Sequence, residues 1–174
     1  MESLQTYSNS PNSTDIDFVH PDTQDGSQIW GLVKRSGVLD LNSAYSYLMM
    51  TKFFRNTCVV AKHGEKLAGF VTAYILPEKA DTVFVWQIGV AQDFRGRGIG
   101  TKILDSLLTC KGCEGVRFLE ATISPSNKAS QSLFTGFSQK HNTNYEIMEC
   151  FSEDMFPEDG HEKELTYRIG PFVK

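Results

Sequence analysis

The chain has 174 residues, 40% of them hydrophobic and 22% charged, with a formal net charge of −4. That length supports one globular core, no apolar run nears the ~20 residues of a membrane span, and Met1-Glu2-Ser3-Leu4 opens no secretory leader. A cytoplasmic protein outside any membrane is expected, and the acidic balance argues against a nucleic-acid partner, whose phosphates require a basic face.

Residues 1–15, rich in Ser, Asn and Thr and poor in apolar side chains, read as a flexible tail, leaving 16–174 for a single domain. Ile16 to His20 reads as a short strand ending at Pro21. From Asp22, a capping residue, Ile29, Trp30, Leu32 and Val33 recur at helical spacing until Gly37. A second helix follows Asn42 or Ser43, with Asp40 just outside its positive end. Thr57–Lys62 and Leu67–Leu76 alternate as strands around a His63-Gly64-Glu65-Lys66 hairpin, and Pro77–Asp81 turns into a strand from Val83 to Ala91. This is an antiparallel meander.

The meander runs into Arg95-Gly96-Arg97-Gly98-Ile99-Gly100-Thr101-Lys102. A glycine turn lets backbone N–H groups converge, the next helix adds its N-terminal donors and dipole, and Arg95 and Arg97 add charge. Such a nest suits a pyrophosphate. A P-loop is excluded because Thr101 precedes Lys102, which is the wrong order. A dinucleotide fold would need a third glycine at position 101 and more strand-helix units than remain, even though Glu120 falls where a ribose-binding acid would sit. What fits is Arg-x-x-Gly-x-Gly, at Arg95, Gly98 and Gly100. Beyond it, Ile99, Ile103, Leu104, Leu107 and Leu108 share a helix face, and Val116–Ile123 reads as a strand parallel to the one before the turn. Cys110 and Cys113 lack partners for a metal site, so Gly112 reads as the cap of that helix.

The glycine turn resembles the acetyl-CoA motif of the Gcn5-related N-acetyltransferases (GNAT). Asn127-Lys128-Ala129-Ser130-Gln131-Ser132-Leu133-Phe134, after a strand, resembles the second motif of the same family. The resemblance implies an α/β (α+β) GNAT fold, a mixed and mostly antiparallel sheet with helices on both faces. It also implies acetyl-CoA as co-substrate, with Ile88 and Val90 pairing with its pantetheine amides. Arg95, Gly96, Arg97, Gly98, Ile99, Gly100 and Thr101 would hold the pyrophosphate, and Asn127 and Ser130 would line the arm; no metal is implied. Two departures bear on mechanism. Phe134 stands where many members place a proton-donating tyrosine, and Phe84-Val85-Trp86-Gln87 carries no carboxylate for a base.

The last third narrows the resemblance. Phe156-Pro157-x-x-Gly160-His161-Glu162 followed by Tyr167-Arg168-Ile169-Gly170-Pro171, with Leu39-Asp40-Leu41-Asn42-Ser43 and Thr122-Ile123-Ser124-Pro125-Ser126, is similar to the diaminobutyrate acetyltransferase family of ectoine synthesis. That likeness implies acetyl transfer to the γ-amine of a small diamine amino acid, in an osmotic-stress pathway, by a homodimer. A substrate with two ammonium groups and a carboxylate calls for acids, offered by Asp40, Glu153, Asp154, Glu158, Asp159 and Glu162, and for a partner to its carboxylate among His161, Arg55 and Lys52. Asp40, Trp86, His161 and Glu162 are the expected substrate residues. Glu162, Asp40 or His161 would take the amine proton, and the Val90 N–H would meet the oxyanion. Alternative readings are an acetyltransferase for another diamine, a polyamine or protein termini, and a non-catalytic coenzyme A sensor.

Overall fold

The computed structural model describes residues 15–173, so the tail expected over 1–15 lies almost wholly outside the described residues. Among the described residues seven strands form one sheet: β1 (Asp17–Val19), β2 (Val59–His63), β3 (Lys66–Leu76), β4 (Lys79–Val90), β5 (Phe118–Ile123), β6 (Tyr145–Phe151) and β7 (Glu164–Ile169), in the order β1-β2-β3-β4-β5-β7-β6. Only β4 and β5 pair in parallel; the other neighbours are antiparallel. The four helices are α1 (Thr23–Ser36), α2 (Ala44–Phe53), α3 (Ile99–Leu108) and α4 (Lys128–Lys140).

Strand alternation sends side chains to opposite faces, and each face has its own core. Val60, Leu67 and Phe70 pack with Ile29, Leu32 and Val33 of α1 and Tyr47 of α2. Val59, Val71, Ala73, Val83 and Val85 pack with Ile103, Leu104 and Leu107 of α3 and Phe134 and Phe137 of α4. Helices therefore cover both faces, as the family resemblance implies. Caps set the helix starts: Asp22 and Asp25 form a capping box on α1, Gly37 ends it in the left-handed conformation, and the Ser43 side chain caps α2. Among the described residues no helix is long and apolar enough to cross a membrane.

Three readings change. The strand expected from Val116 begins at Phe118. Tyr145–Phe151, for which no strand was expected, is a strand at the sheet edge. Gly112 does not cap α3, which ends at Thr109; Gly112 lies in a short 3-10 turn, Lys111–Cys113. A Cβ on Gly112 would lie 2.6 Å from the Asn56 carbonyl oxygen, so close backbone approach is what requires glycine there. Gly112→Ala should lower stability by about 2 kcal/mol through this clash and lower the melting temperature by ~4–8 °C, with the Michaelis constant for acetyl-CoA unchanged. Thermal denaturation followed by circular dichroism checks the first, and steady-state kinetics the second.

Candidate active site

The site begins where the sheet comes apart. β4 pairs with β5 only from Thr82↔Phe118 to Val85↔Ala121. β4 then continues to Val90 alongside β3, while β5 continues to Ile123 alongside β7. The last stretch of β4 therefore has an unpaired edge. Ala91 N–H donates to Ala68 O at 2.8 Å, on the β3 side. Backbone groups alternate sides along a strand, so the N–H groups of Val90 and Ile88 face the gap. The gap opens as a cleft of about 770 Å³ lined by Leu39, Ile88, Gly89, Val90, Arg95, Ser124, Asn127, Ser130 and Leu133.

The glycine turn sits at one end of this cleft. Gly96 and Gly98 have φ of 74° and 70°, left-handed values that side chains rarely adopt, and Gly98 is the N-cap of α3 with no side chain over the helix end. The first-turn donors at Ile99, Gly100 and Thr101 are thus left for an anion. Arg95 Nε donates to Val90 O at 3.2 Å, fixing the turn to the end of β4. Arg97 Nη2 donates to Asp93 O at 2.9 Å and lies over the Phe94 ring. On the opposite wall, Asn127 caps α4 by accepting from Ser130 N–H at 3.1 Å, which aligns that helix end along the cleft.

A smaller cavity of about 120 Å³ continues inward, lined by Asp40, Val85, Trp86, Gln87, Thr122, Ser124, Phe134 and Glu164 among others. A register shift opposite Thr72 and Ala73 makes Trp86 an extra residue on β4, so Trp86 and Gln87 both reach the cavity. Asp40 and Trp86 therefore line the same cavity. His161 stacks on Phe156 with ring centroids 3.6 Å apart, and its Nδ1 lies 2.6 Å from the Glu162 carbonyl oxygen. Glu162 takes another position. Its carboxylate accepts from Ser126 N–H at 3.2 Å and from the Ser126 hydroxyl, tying the C-terminal loop to the start of α4.

Glu164 is the acid that sequence reasoning missed. It lines the inner cavity, and burial raises its pKa above the ordinary glutamate value; His161 opposes that rise, while Asp40 and Glu162 add to it. A carboxylate in that state accepts a proton more readily than an exposed one. Glu153, Asp154, Glu158 and Asp159 are exposed, and neither Lys52 nor Arg55 lines the cavity. No Lys or Arg lines it, which leaves the hydroxyls of Thr122, Ser124 and Ser130, or nearby His161, to meet a carboxylate.

Other candidates resolve as structural. Glu120 is buried and paired with Arg168 at 2.6 Å and Lys79 at 3.1 Å, so it is not free to bind a ribose. Cys58 and Cys110 are free thiols whose pKa values burial pushes up to about 12 and about 11, which suppresses the reactive thiolate. Among the described residues no three His, Cys, Asp or Glu side chains are grouped to hold a metal ion.

An open strand edge, a glycine nest at a helix start and a capped second helix together line one cleft, with donors suited to amides at one part and to an anion at the other. The profile described as the Acetyltransferase (GNAT) family matches residues 28–137, and the chain belongs to that family. Within it, the chain is 54% identical over 174 residues to the L-2,4-diaminobutyric acid acetyltransferase of Marinococcus halophilus, covering 100% of both. It is 52% identical to the protein of that name from Halalkalibacterium halodurans, covering 91% of this chain and 83% of that one. The diaminobutyrate acetyltransferase EctA of Paenibacillus lautus, solved with L-2,4-diaminobutyric acid and coenzyme A, superposes with a TM-score of 0.88 at 39% identity, covering 93% of this chain and 98% of that one.

A side chain at Gly98 must pay the left-handed penalty or shift the turn. Gly98→Val should raise the Michaelis constant for acetyl-CoA about tenfold or more, corresponding to ~1–2 kcal/mol of strain, and leave that for the amine within about twofold. Initial-rate kinetics with each substrate varied in turn separates the two.

Proposed function

We propose that this chain transfers the acetyl group of acetyl-CoA to the γ-nitrogen of L-2,4-diaminobutyrate, giving N4-acetyl-L-2,4-diaminobutyrate and coenzyme A, an early step in ectoine synthesis. The observation that carries this reading is the pair of acids, Asp40 and Glu164, lining the small cavity beside the open edge of β4. A compact substrate with two ammonium groups fits a small acidic chamber. A protein terminus calls for an open groove instead.

The reaction starts with loss of a proton, because an alkylammonium with a lysine-like pKa of about 10 has no free pair at neutral pH. Glu164, its proton affinity raised by burial, takes that proton directly or through water. The neutral amine adds to the thioester carbonyl. The developing oxyanion accepts from the Val90 N–H already facing the cleft, and collapse expels the coenzyme A thiolate. Buried Phe134 has no hydroxyl to protonate it, so the second proton, shed by the nitrogen as it becomes an amide, passes through solvent to the thiolate. Asp40 holds the α-ammonium and Trp86 walls the chamber, which leaves the γ-nitrogen within reach of the carbonyl. His161, stacked on Phe156, and Glu162, held by Ser126, brace the loop that leads into Glu164.

A cytoplasmic location fits the use of acetyl-CoA and the free thiols. We also propose a homodimer, and residues 16–174 as one acetyltransferase domain. The exposed edge strand β6 supports the dimer: Tyr145, Ile147, Met148 and Phe151 are each 43–47% exposed. An unpaired apolar edge of this kind suits pairing with a second chain.

Thiol release from acetyl-CoA should be rapid with diaminobutyrate and weak with polyamines, and NMR of the product should place the acetyl on the γ-nitrogen. Silence on every amine would leave the coenzyme A sensor standing. Glu164→Gln should cut turnover by about 100-fold and abolish the fall in rate as pH is lowered through the raised Glu164 pKa. Its stability effect has the opposite sign. A folded-state pKa above the unfolded one gives stability that is lost as pH rises through it, so Glu164→Gln should melt at a higher temperature than the parent at pH 7. Ile147→Lys should shift the protein from dimer to monomer in size-exclusion chromatography with light scattering.

A further inference from the structure

Asp40 lies in a segment between α1 and α2, Val38 to Asn42, that belongs to neither a helix nor a strand. A carboxylate on such a segment orients a substrate only if the backbone beneath it is held. β4 holds it. Gln87 Nε2 donates to the Asp40 carbonyl oxygen at 2.8 Å, and Gln87 Oε1 accepts from the Tyr47 hydroxyl at 2.8 Å. Because the Asp40 carbonyl only accepts, the amide has one orientation that satisfies both ends. Tyr47 is fully buried and packs near Trp86, with ring centroids 5.9 Å apart, and its hydroxyl also accepts from Asn42 N–H at 3.4 Å. Two residues along β4, Leu39 Cδ1 lies 2.8 Å from where a Cβ on Gly89 would be, so the segment rests on bare strand backbone.

We infer that Gln87, anchored by Tyr47, is a positioning residue that fixes the Asp40 backbone and so sets the distance between the Asp40 carboxylate and Glu164 across the chamber. This rests on the proposed diaminobutyrate reading for its kinetic consequence, but not for the latch itself. Gln87 contributes no charge and takes no proton; both ends of its amide are occupied by protein groups. Its effect passes through Asp40, and so falls on amine binding rather than on the cofactor.

Gln87→Glu is nearly isosteric. It keeps an acceptor for Tyr47 but at neutral pH has no hydrogen to give Asp40. The Michaelis constant for diaminobutyrate should rise about five- to tenfold, the worth of one hydrogen bond, while that for acetyl-CoA stays within about twofold. Tyr47→Phe should produce a smaller rise of the same kind, and the double variant should fall short of the product of the two, since both act on one latch. Amide hydrogen exchange on the ligand-free protein tests the latch without any substrate: Leu39 and Asn42 should exchange about fivefold faster in Gln87→Glu than in the parent. Unchanged exchange at these amides, or equal rises in both Michaelis constants, overturns the inference. If the parent protein does not acetylate diaminobutyrate, the functional reading fails and the exchange result still decides whether the latch exists.

Discussion

Everything in the site follows from β4 and β5 remaining neighbours for four residue pairs and then separating. A paired strand spends its N–H groups on its neighbour; a strand that loses its neighbour keeps them. The separation turns ordinary sheet hydrogen-bonding capacity into a row of donors pointing into a cleft, with β3 still holding the far side of β4 rigid. A pantetheine arm carries amides of its own and can take the missing neighbour's place. A cofactor seated this way would act as an added strand, with its thioester against fixed backbone.

The walls of the gap come from distant parts of the chain, and each brings one kind of chemistry. The turn before α3 supplies left-handed glycines and an uncapped helix start, which favour an anion. The segment before α2 supplies Asp40, and β7 supplies Glu164 from the other side. Burial raises the proton affinity of Glu164, and the nearby Asp40 adds to that rise, a destabilising arrangement in the empty protein that a doubly cationic substrate relieves. The two ion pairs of buried Glu120 lie lower on β5, at the level where β4 and β5 still pair, and join β4, β5 and β7 below the opening.

What could be read from the sequence was what each residue carries locally. Glycine and arginine state their chemistry in the turn, Asp22 and Ser43 state where helices start, and the turn residues mark the meander. Long-range pairing was not legible. Glu164 belongs to no motif, and only the alignment of Ile123 with Leu165 brings it beside the cavity. β6 escaped because its apolar and acidic residues are nearly all exposed, leaving no buried face to mark a strand. Glu162 sat in the expected motif, yet its carboxylate is engaged by Ser126. Gln87 looked like a missing glutamate until its two hydrogen bonds gave it a different task.

The parted strands also connect the fold to metabolism. A sheet whose central seam is completed by a small molecule is a better folded sheet when that molecule is abundant, because binding to the native form alone draws the folding equilibrium toward it. Whatever occupies the seam then acts on the stability of the fold as well as on turnover, so the cofactor is part of what keeps this sheet whole.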